Sequence, residues 1–364
     1  MKKILPEIFW LRSIACIGIV IIHSVSLTLS NNPQLVKNEW PTYLQIYLMF
    51  CTPAFVFISE FLIAHMYGDK LKRGFFKKRL LYLGLPYVFL NIYWTFSSHS
   101  PQTLMEFIDA FLLVSIRGYS VTYFIVIIFQ FYILHYLFSK YLRKLPPIPI
   151  IIISIILTSI YWGIRLIYPS PENFVGGILW GKEGQTIFFG WLTYFVLGYY
   201  IGIYYEKFTS TIKNYTFPII TLFLMSILIV FYTHTTGLNS AIGSKRLDTP
   251  IYTTAVLLLF FLIQSYIVNI PRFIVFISNY SFSIYLLHLA FMNRMGMLHE
   301  IVFYDILYKS ILGITLSICF AYIINRFSLG KFIVGNVPNF RVPSISSIES
   351  VKKESVSPST LKSN

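Results

Sequence analysis

Ten separated apolar runs, each near the length of one bilayer crossing, constrain this chain more than any other feature. They lie at approximately Ile8–Leu29, Tyr43–Tyr67, Leu80–Phe96, Val121–Phe138, Ile148–Tyr168, Thr186–Tyr205, Phe217–His234, Ile251–Ile270, Phe273–Met295 and Leu307–Phe327. A bilayer core of roughly 30 Å takes about 20 helical residues, so each run matches one crossing. The runs predict an all-α integral membrane protein, a bundle of about ten transmembrane helices. The composition agrees: 12% of the 364 residues are charged, against about 25% in soluble domains. Mean hydropathy is +0.68.

The net charge of +15 would suggest a nucleic-acid partner in a soluble protein. Here the excess of Lys and Arg in cytoplasmic loops explains it, and no nucleic acid is implied. With the N-terminus in the cytoplasm, Lys2, Lys3, Arg12, the six basic residues of "DKLKRGFFKKR", Lys140, Arg143, Lys144, Lys207, Lys213, Arg272, Arg326, Lys331, Arg341 and the tail lysines share one side. That is 21 of 29 basic residues, so both termini are expected in the cytoplasm. The first run has no convincing small-x-small cleavage site and reads as an uncleaved signal anchor. Leu104–Ile116 is too short to span and carries Glu106 and Asp109, so it reads as an amphipathic surface segment.

Residues 1–335 form the expected membrane domain, and the Ser- and Lys-rich stretch 336–364 is expected to be a disordered cytoplasmic tail. No phosphate-binding loop, dinucleotide glycine motif or metal-ligand cluster is present. The three cysteines lie within apolar runs, without metal-like spacing. Any chemistry must then use the bundle itself, and no metal or bound cofactor is expected.

Polar residues inside the runs are therefore the candidates. Arg12 and His23 are eleven positions apart, three helical turns, on nearly one face and ~16 Å apart along the axis. A cation at the bilayer centre costs at least ~2.5–3.5 kcal/mol. Arg12 sits near enough to the run's start to snorkel, while His23 lies deeper. In "SNYSFSIYLLHLAF", Ser281, Tyr285 and His288 share a stripe, where a histidine is commonly an interhelical hydrogen-bonding group. Glu60 and His65 lie in "FVFISEFLIAHMYG". Glu60 is compatible with a protonated state, an arginine pair or a substrate hydroxyl. "KKRLLYLGLPY", from Lys77, Lys78 and Arg79 to Tyr87, sets topology in one reading and holds an anionic cytoplasmic donor in another.

These residues resemble the membrane-bound acyltransferase family 3, which O-acylates carbohydrates at the cell surface. Arg12 and His23 fit its Arg–ten residues–His opening. "AFVFISEFLIA" follows its second-helix pattern except at Glu60, and Arg79 with Pro86 meets its Arg-x-x-Arg-x-x-x-Pro pattern except at Tyr82. "YSFSIYLLHLAF" looks like its late "SYxIYLLHxP" helix, with Leu289 in place of Pro. "YFIVIIFQFYILHYLF" and "TIFFGWLTYFVLGYYIGIYYEKF" are similar to the intercellular-adhesion protein C branch, associated with poly-N-acetylglucosamine and biofilm. The likeness runs from about Pro6 to Gly335.

The resemblance implies an acyltransferase in the cell membrane that passes an acyl group from cytoplasmic acyl-CoA to a hydroxyl of a cell-envelope polysaccharide. It implies His23 as base and Arg12 at the thioester or phosphate of the donor, with Arg79, Lys78 and Lys77 on the donor phosphates. Glu7 is an expected orienting partner for Arg12. Tyr123, Tyr285, His288 and Glu60 are supporting candidates. A partner polysaccharide synthase is compatible with this role. The alternative reading is an exporter of a poly-N-acetylglucosamine-type polymer, and a third is an inert scaffold.

Overall fold

A computed structural model describes residues 5–31, 39–118, 122–267, 269–298 and 300–338. Its helices are α1 (Pro6–Asn31), α2 (Trp40–Leu48), α3 (Cys51–Tyr67), α4 (Phe75–Arg79), α5 (Leu85–His99), α6 (Leu104–Ser115), α7 (Phe124–Leu142), α8 (Pro147–Ile167), α9 (Phe174–Trp180), α10 (Leu192–Ile203), α11 (Tyr205–Thr211), α12 (Thr216–Thr235), α13 (Thr249–Gln264), α14 (Arg272–Met292) and α15 (Val302–Ile324). Among the described residues, seven helical stretches are long and apolar enough to cross a membrane, and Phe188–Ile203 and Thr249–Gln264 are shorter apolar helices. The chain is a multi-pass, all-α membrane protein.

The remaining apolar run, Leu80–Phe96, is interrupted. Between α4 and α5 the chain makes a π-helical turn, Leu80–Gly84, in which the Leu85 N–H reaches back to the Leu80 carbonyl. Pro86 explains this locally: it has no N–H for the carbonyl four residues earlier, and its ring crowds that carbonyl. The wider turn is placed beside the cavity described below.

The helix pairing follows from small residues and polar contacts. Ser13 Oγ donates to the Ile274 carbonyl at 2.7 Å, and Cys16 Sγ lies 3.7 Å from the Ser281 carbonyl. These contacts advance together along both chains, so α1 and α14 run parallel. Helix α15 runs antiparallel to α1. Ser24 and Ser310 share a hydrogen bond of 2.8 Å, and Thr28 Oγ1 donates to Asp305 Oδ2 at 2.7 Å. Asp305 also pairs with Lys309, so this buried acid–base pair is internally satisfied.

Helices α3 and α10 also run parallel, and their approach depends on two glycines four residues apart. A Cβ at Gly198 would lie 2.8 Å from the Phe57 carbonyl oxygen, and one at Gly202 would lie 2.6 Å from that of Phe61. This close backbone approach is the small-xxx-small solution for helices in lipid, where apolar burial alone does not drive helices together. Phe57, Phe61, Phe131, Trp191, Tyr194, Tyr199 and Phe261 fill the adjacent core.

Helix α6 is the expected amphipathic segment, with Leu104, Met105, Ile108 and Leu112 exposed. Thr103 caps its start by accepting from the Glu106 N–H, while Glu106 accepts from the Gln102 N–H. Both bonds satisfy backbone N–H groups at the start of the helix. Of the proposed tail 336–364, Asn336–Pro338 are described, and the rest lies outside the described residues.

Candidate active site

Arg12, on the second turn of α1, and Arg79, at the end of α4, line one cavity of about 350 Å³. The helices that build it are α1, α3, α7, α14 and the π turn. Tyr82 and Leu83 come from the π turn, Ser59 from α3, Tyr132 and Phe124 from α7, and Tyr285 from α14. Two guanidinium groups face this space and none of the described lining residues is acidic. The Nε of Arg12 is buried without a hydrogen-bond partner. Arg79 is held over two rings, 5.1 Å from Phe75 and 5.5 Å from Tyr132. Guanidinium stacks readily on aromatic faces while its N–H edge stays available, so the arrangement suits an anionic or strongly polar ligand.

The cavity is elongated along the bundle. Its α7 lining runs from Tyr132 to Phe124 and its α14 lining from Ser278 to Tyr285, a depth of roughly 10–12 Å. At the far end, the Tyr285 ring packs edge-on against Phe124, with centroids 4.2 Å apart. One turn further along α14 stands His288, whose ring centroid is 6.1 Å from that of Tyr285 and 5.3 Å from that of His23. The parallel packing of α1 and α14 therefore carries two histidines to the inner end of a cavity that begins at two arginines.

His288 has a defined tautomer. Its Nδ1 lies 2.9 Å from the Ile284 carbonyl, which can only accept, so Nδ1 carries the proton. The Nε2 is then a lone-pair acceptor, buried and unpartnered. His23 is half-buried on α1.

Other sequence candidates fall elsewhere. Glu7 accepts from the Tyr205 hydroxyl at 2.8 Å, which gives it a partner across the bundle on α11. Glu60 points from α3 toward α7, where its Oε1 lies 2.6 Å from His135 Nδ1. His135 Nε2 donates to the Gly68 carbonyl at 2.8 Å. One further proton must therefore lie between Nδ1 and Oε1, and the pair is fully buried. Lys77 and Lys78 are exposed beside Arg79 and do not line the cavity.

Tyr123 stands just outside the cavity's inner end, with Lys245 Nζ 4.3 Å above its ring. Lys245 donates to Gln185 Oε1 at 2.5 Å. Burial, followed by the fields of Arg165 and Lys182, lowers this ammonium to about 8.

Several participants are not legible in the sequence. His135 lies inside a quoted apolar stretch, and its signal is the need of a buried Glu60 for a partner. Tyr132 is one tyrosine among 27. Asn336 and Pro338 line the cavity from a segment whose composition gave no sign of it.

Comparison with known proteins fits this picture. Residues 5–326 match the family model described as an acyltransferase domain, Acyl_transf_3. The "Putative membrane-bound acyltransferase YfiQ" of Bacillus subtilis (strain 168) is 36% identical over 298 residues, covering 79% of this chain and 81% of that protein. The "Probable poly-beta-1,6-N-acetyl-D-glucosamine export protein" of Staphylococcus aureus (strain Mu50 / ATCC 700699) is 28% identical over 93% of this chain and 98% of its own length. Its namesake from Staphylococcus epidermidis is 26% identical over 93% and 96%. No solved structure matches the chain. With nearly the whole bundle inside the family model, the chain belongs to the Acyl_transf_3 family of membrane-bound acyltransferases, and it is an enzyme of acyl transfer.

Proposed function

We propose that the protein moves an acyl group from a cytoplasmic acyl-CoA to a hydroxyl of a cell-envelope or exported polysaccharide, within a ten-crossing bundle whose termini are both cytoplasmic. The observation that carries this reading is one continuous cavity, with no acid among its described lining residues, that joins Arg12 and Arg79 to Tyr285, with His288 and His23 one turn beyond. Helix direction supports the ten crossings: α1 is parallel to α14, α3 is parallel to α10, and α15 is antiparallel to α1. Those relations fit a chain that reverses at every span. The excess of basic residues on one side, 21 of 29, supports a cytoplasmic position for Arg79.

In this reading the acyl-bearing arm of the donor enters past Arg79, and its thioester passes Arg12. A neutral His23 accepts the proton of the acceptor hydroxyl, whose oxygen attacks the thioester carbonyl; the C–S bond breaks and the thiolate leaves to take up a proton. Arg12 offers donors to the negative charge that develops on the carbonyl oxygen or to the arm's polar groups. The unpartnered Nε2 of His288 is an acceptor beside His23, suited to orienting it or relaying its proton.

The test is mass spectrometry of envelope glycans from a deletion strain complemented with wild type, His23→Ala or Arg12→Ala. Loss of one ester mass with either variant, at equal membrane abundance, supports the reading, and full acylation by the His23→Ala protein overturns it. The names of the staphylococcal relatives favour a second reading, polymer export. Polymer trapped in the deletion strain with its ester content intact selects export.

A further inference from the structure

A second cavity, of about 410 Å³, opens at the same end of the bundle as Arg79 and shares Asn336 with the first. Its polar lining includes Tyr280, Tyr322, Asn325, Arg326, Lys331 and Asn336, and none of its described lining residues is acidic. Both cations belong to the stretch that follows α15 and folds back over the mouth of the first cavity.

That stretch is anchored. Asn325 Nδ2 donates to the Ala321 carbonyl at 2.9 Å and to the Gly335 carbonyl at 3.2 Å, closing the strap on itself. Gly335 adopts φ 88°, and a Cβ there would lie 2.4 Å from a Phe282 ring carbon. Only glycine gives both the turn and the approach to α14. Phe332 packs on Tyr82 of the π turn, with centroids 5.5 Å apart. Arg326 lies with its guanidinium 4.7 Å from the Tyr322 ring centroid and donates to that hydroxyl. Its other N–H groups remain for a ligand.

The first cavity, at about 350 Å³, lies at the small end of ligand sites, which run from ~300 to 1,000 Å³. A volume of that size takes the acyl-bearing arm of a nucleotide thioester and leaves no room for the nucleotide as well. We propose that Arg326 and Lys331 bind the phosphates of the donor's nucleotide end in the second cavity, while the arm passes Asn336 into the first. This rests on the acyl-CoA reading above. Arginine supplies paired donors to phosphate oxygens, and lysine adds a mobile point charge. Anionic lipid headgroups carry the same phosphate chemistry and also collect near basic residues at a membrane surface, so the test must separate the two sources.

Full-length protein in phosphatidylcholine nanodiscs is titrated with adenosine 3′,5′-bisphosphate, which carries the 3′-phosphate and the first 5′-phosphate of the nucleotide without the arm. Wild type is expected to bind it, with Lys331→Ala and Arg326→Ala each weakening binding about ten-fold and Arg326→Lys recovering part of that loss. In a transfer assay the same alanine variants are expected to raise KM for acyl-CoA, with the defect shrinking for an acyl N-acetylcysteamine thioester, which has no phosphate. No binding by wild type overturns the proposal. So does equal binding by wild type and the alanine variants, or an equal defect with both donors. Phosphate recognition confined to nanodiscs containing phosphatidylglycerol assigns the cavity to lipid and also overturns it. The acyl-transfer reading fails separately, in the glycan spectra of the His23→Ala strain, and bisphosphate binding at the strap is measured independently of that result.

Discussion

His23 on α1 and His288 on α14 face each other with ring centroids 5.3 Å apart, and the proton on His288 Nδ1 is fixed by the Ile284 carbonyl. The pair gives unequal expectations for the two rings. If His23 is the base, His23→Ala lowers acyl transfer by about 10²–10⁴-fold, the usual contribution of general base catalysis. His288→Ala, which removes a neighbour, lowers it less, and His288→Gln recovers part of the loss by offering an amide oxygen near the former Nε2. Rates measured on purified protein with acyl-CoA and a glycan acceptor check this. A larger loss at His288 than at His23 reverses the assignment.

The Glu60–His135 pair makes a structural prediction. Because Nε2 of His135 donates to the Gly68 carbonyl, one proton is shared between Nδ1 and Glu60 Oε1. Glu60→Gln keeps a donor opposite Nδ1 and is expected to cost about 1 kcal/mol, one ordinary hydrogen bond. His135→Ala strands a buried carboxyl group and a carbonyl, and breaking such a pair costs roughly 3–5 kcal/mol. Thermal unfolding of the detergent-solubilised protein separates the two variants. Equal, small shifts in Tm would show that the pair is not closed as described.

How far the sequence reveals this site depends on whether a contact is local. Arg12 and His23 are legible because α1 is one unbroken helix, in which eleven residues make three turns. Glu7 misleads for the same reason. Its closeness in sequence to Arg12 suggests a partner, yet five residues turn the helix by ~140° beyond one revolution, onto another face. Its hydroxyl partner, Tyr205, is 198 positions away. The meeting of His23 with His288 depends on α1 packing beside α14, which periodicity does not specify. The run Leu80–Phe96 is legible as apolar, but its π turn follows from Pro86 acting within a helix that begins earlier, at Phe75. The strap is hidden because its work is done by Asn325, Gly335 and Asn336, residues whose ordinary place is a loop.

Gly198 and Gly202 carry the α3–α10 contact. Gly198→Leu drives its Cβ toward the Phe57 carbonyl and the Glu60 Cβ, neither of which is a flexible side-chain end. Overpacking of a close-packed contact costs typically ~1–3 kcal/mol, so the Tm of Gly198→Leu and Gly202→Leu is expected to fall by several degrees. Gly177→Leu is a suitable control, since nothing lies within 4 Å of a Cβ there. An equal fall at Gly177 would remove the specific role of the helix contact.

Lys245 sets a pH dependence whose direction is fixed by its surroundings. The ammonium sits over the Tyr123 ring in the loop before α13, and burial together with Arg165 and Lys182 lowers it to about 8. In the unfolded chain the same group titrates near ~10.4. Between those values the unfolded state binds more protons than the folded one, so stability contributed by this residue rises as pH climbs from about 8 toward ~10. Below about 8 both states are charged and the cost of the buried ammonium is fully present. Lys245→Met removes that cost while giving up the hydrogen bond to Gln185. Its Tm minus that of wild type should therefore be larger at pH 7 than at pH 9.5. Taking the difference between the two proteins cancels titration of other tyrosines and lysines common to both. A difference that stays constant across that range would mean Lys245 keeps an ordinary ammonium, open to water.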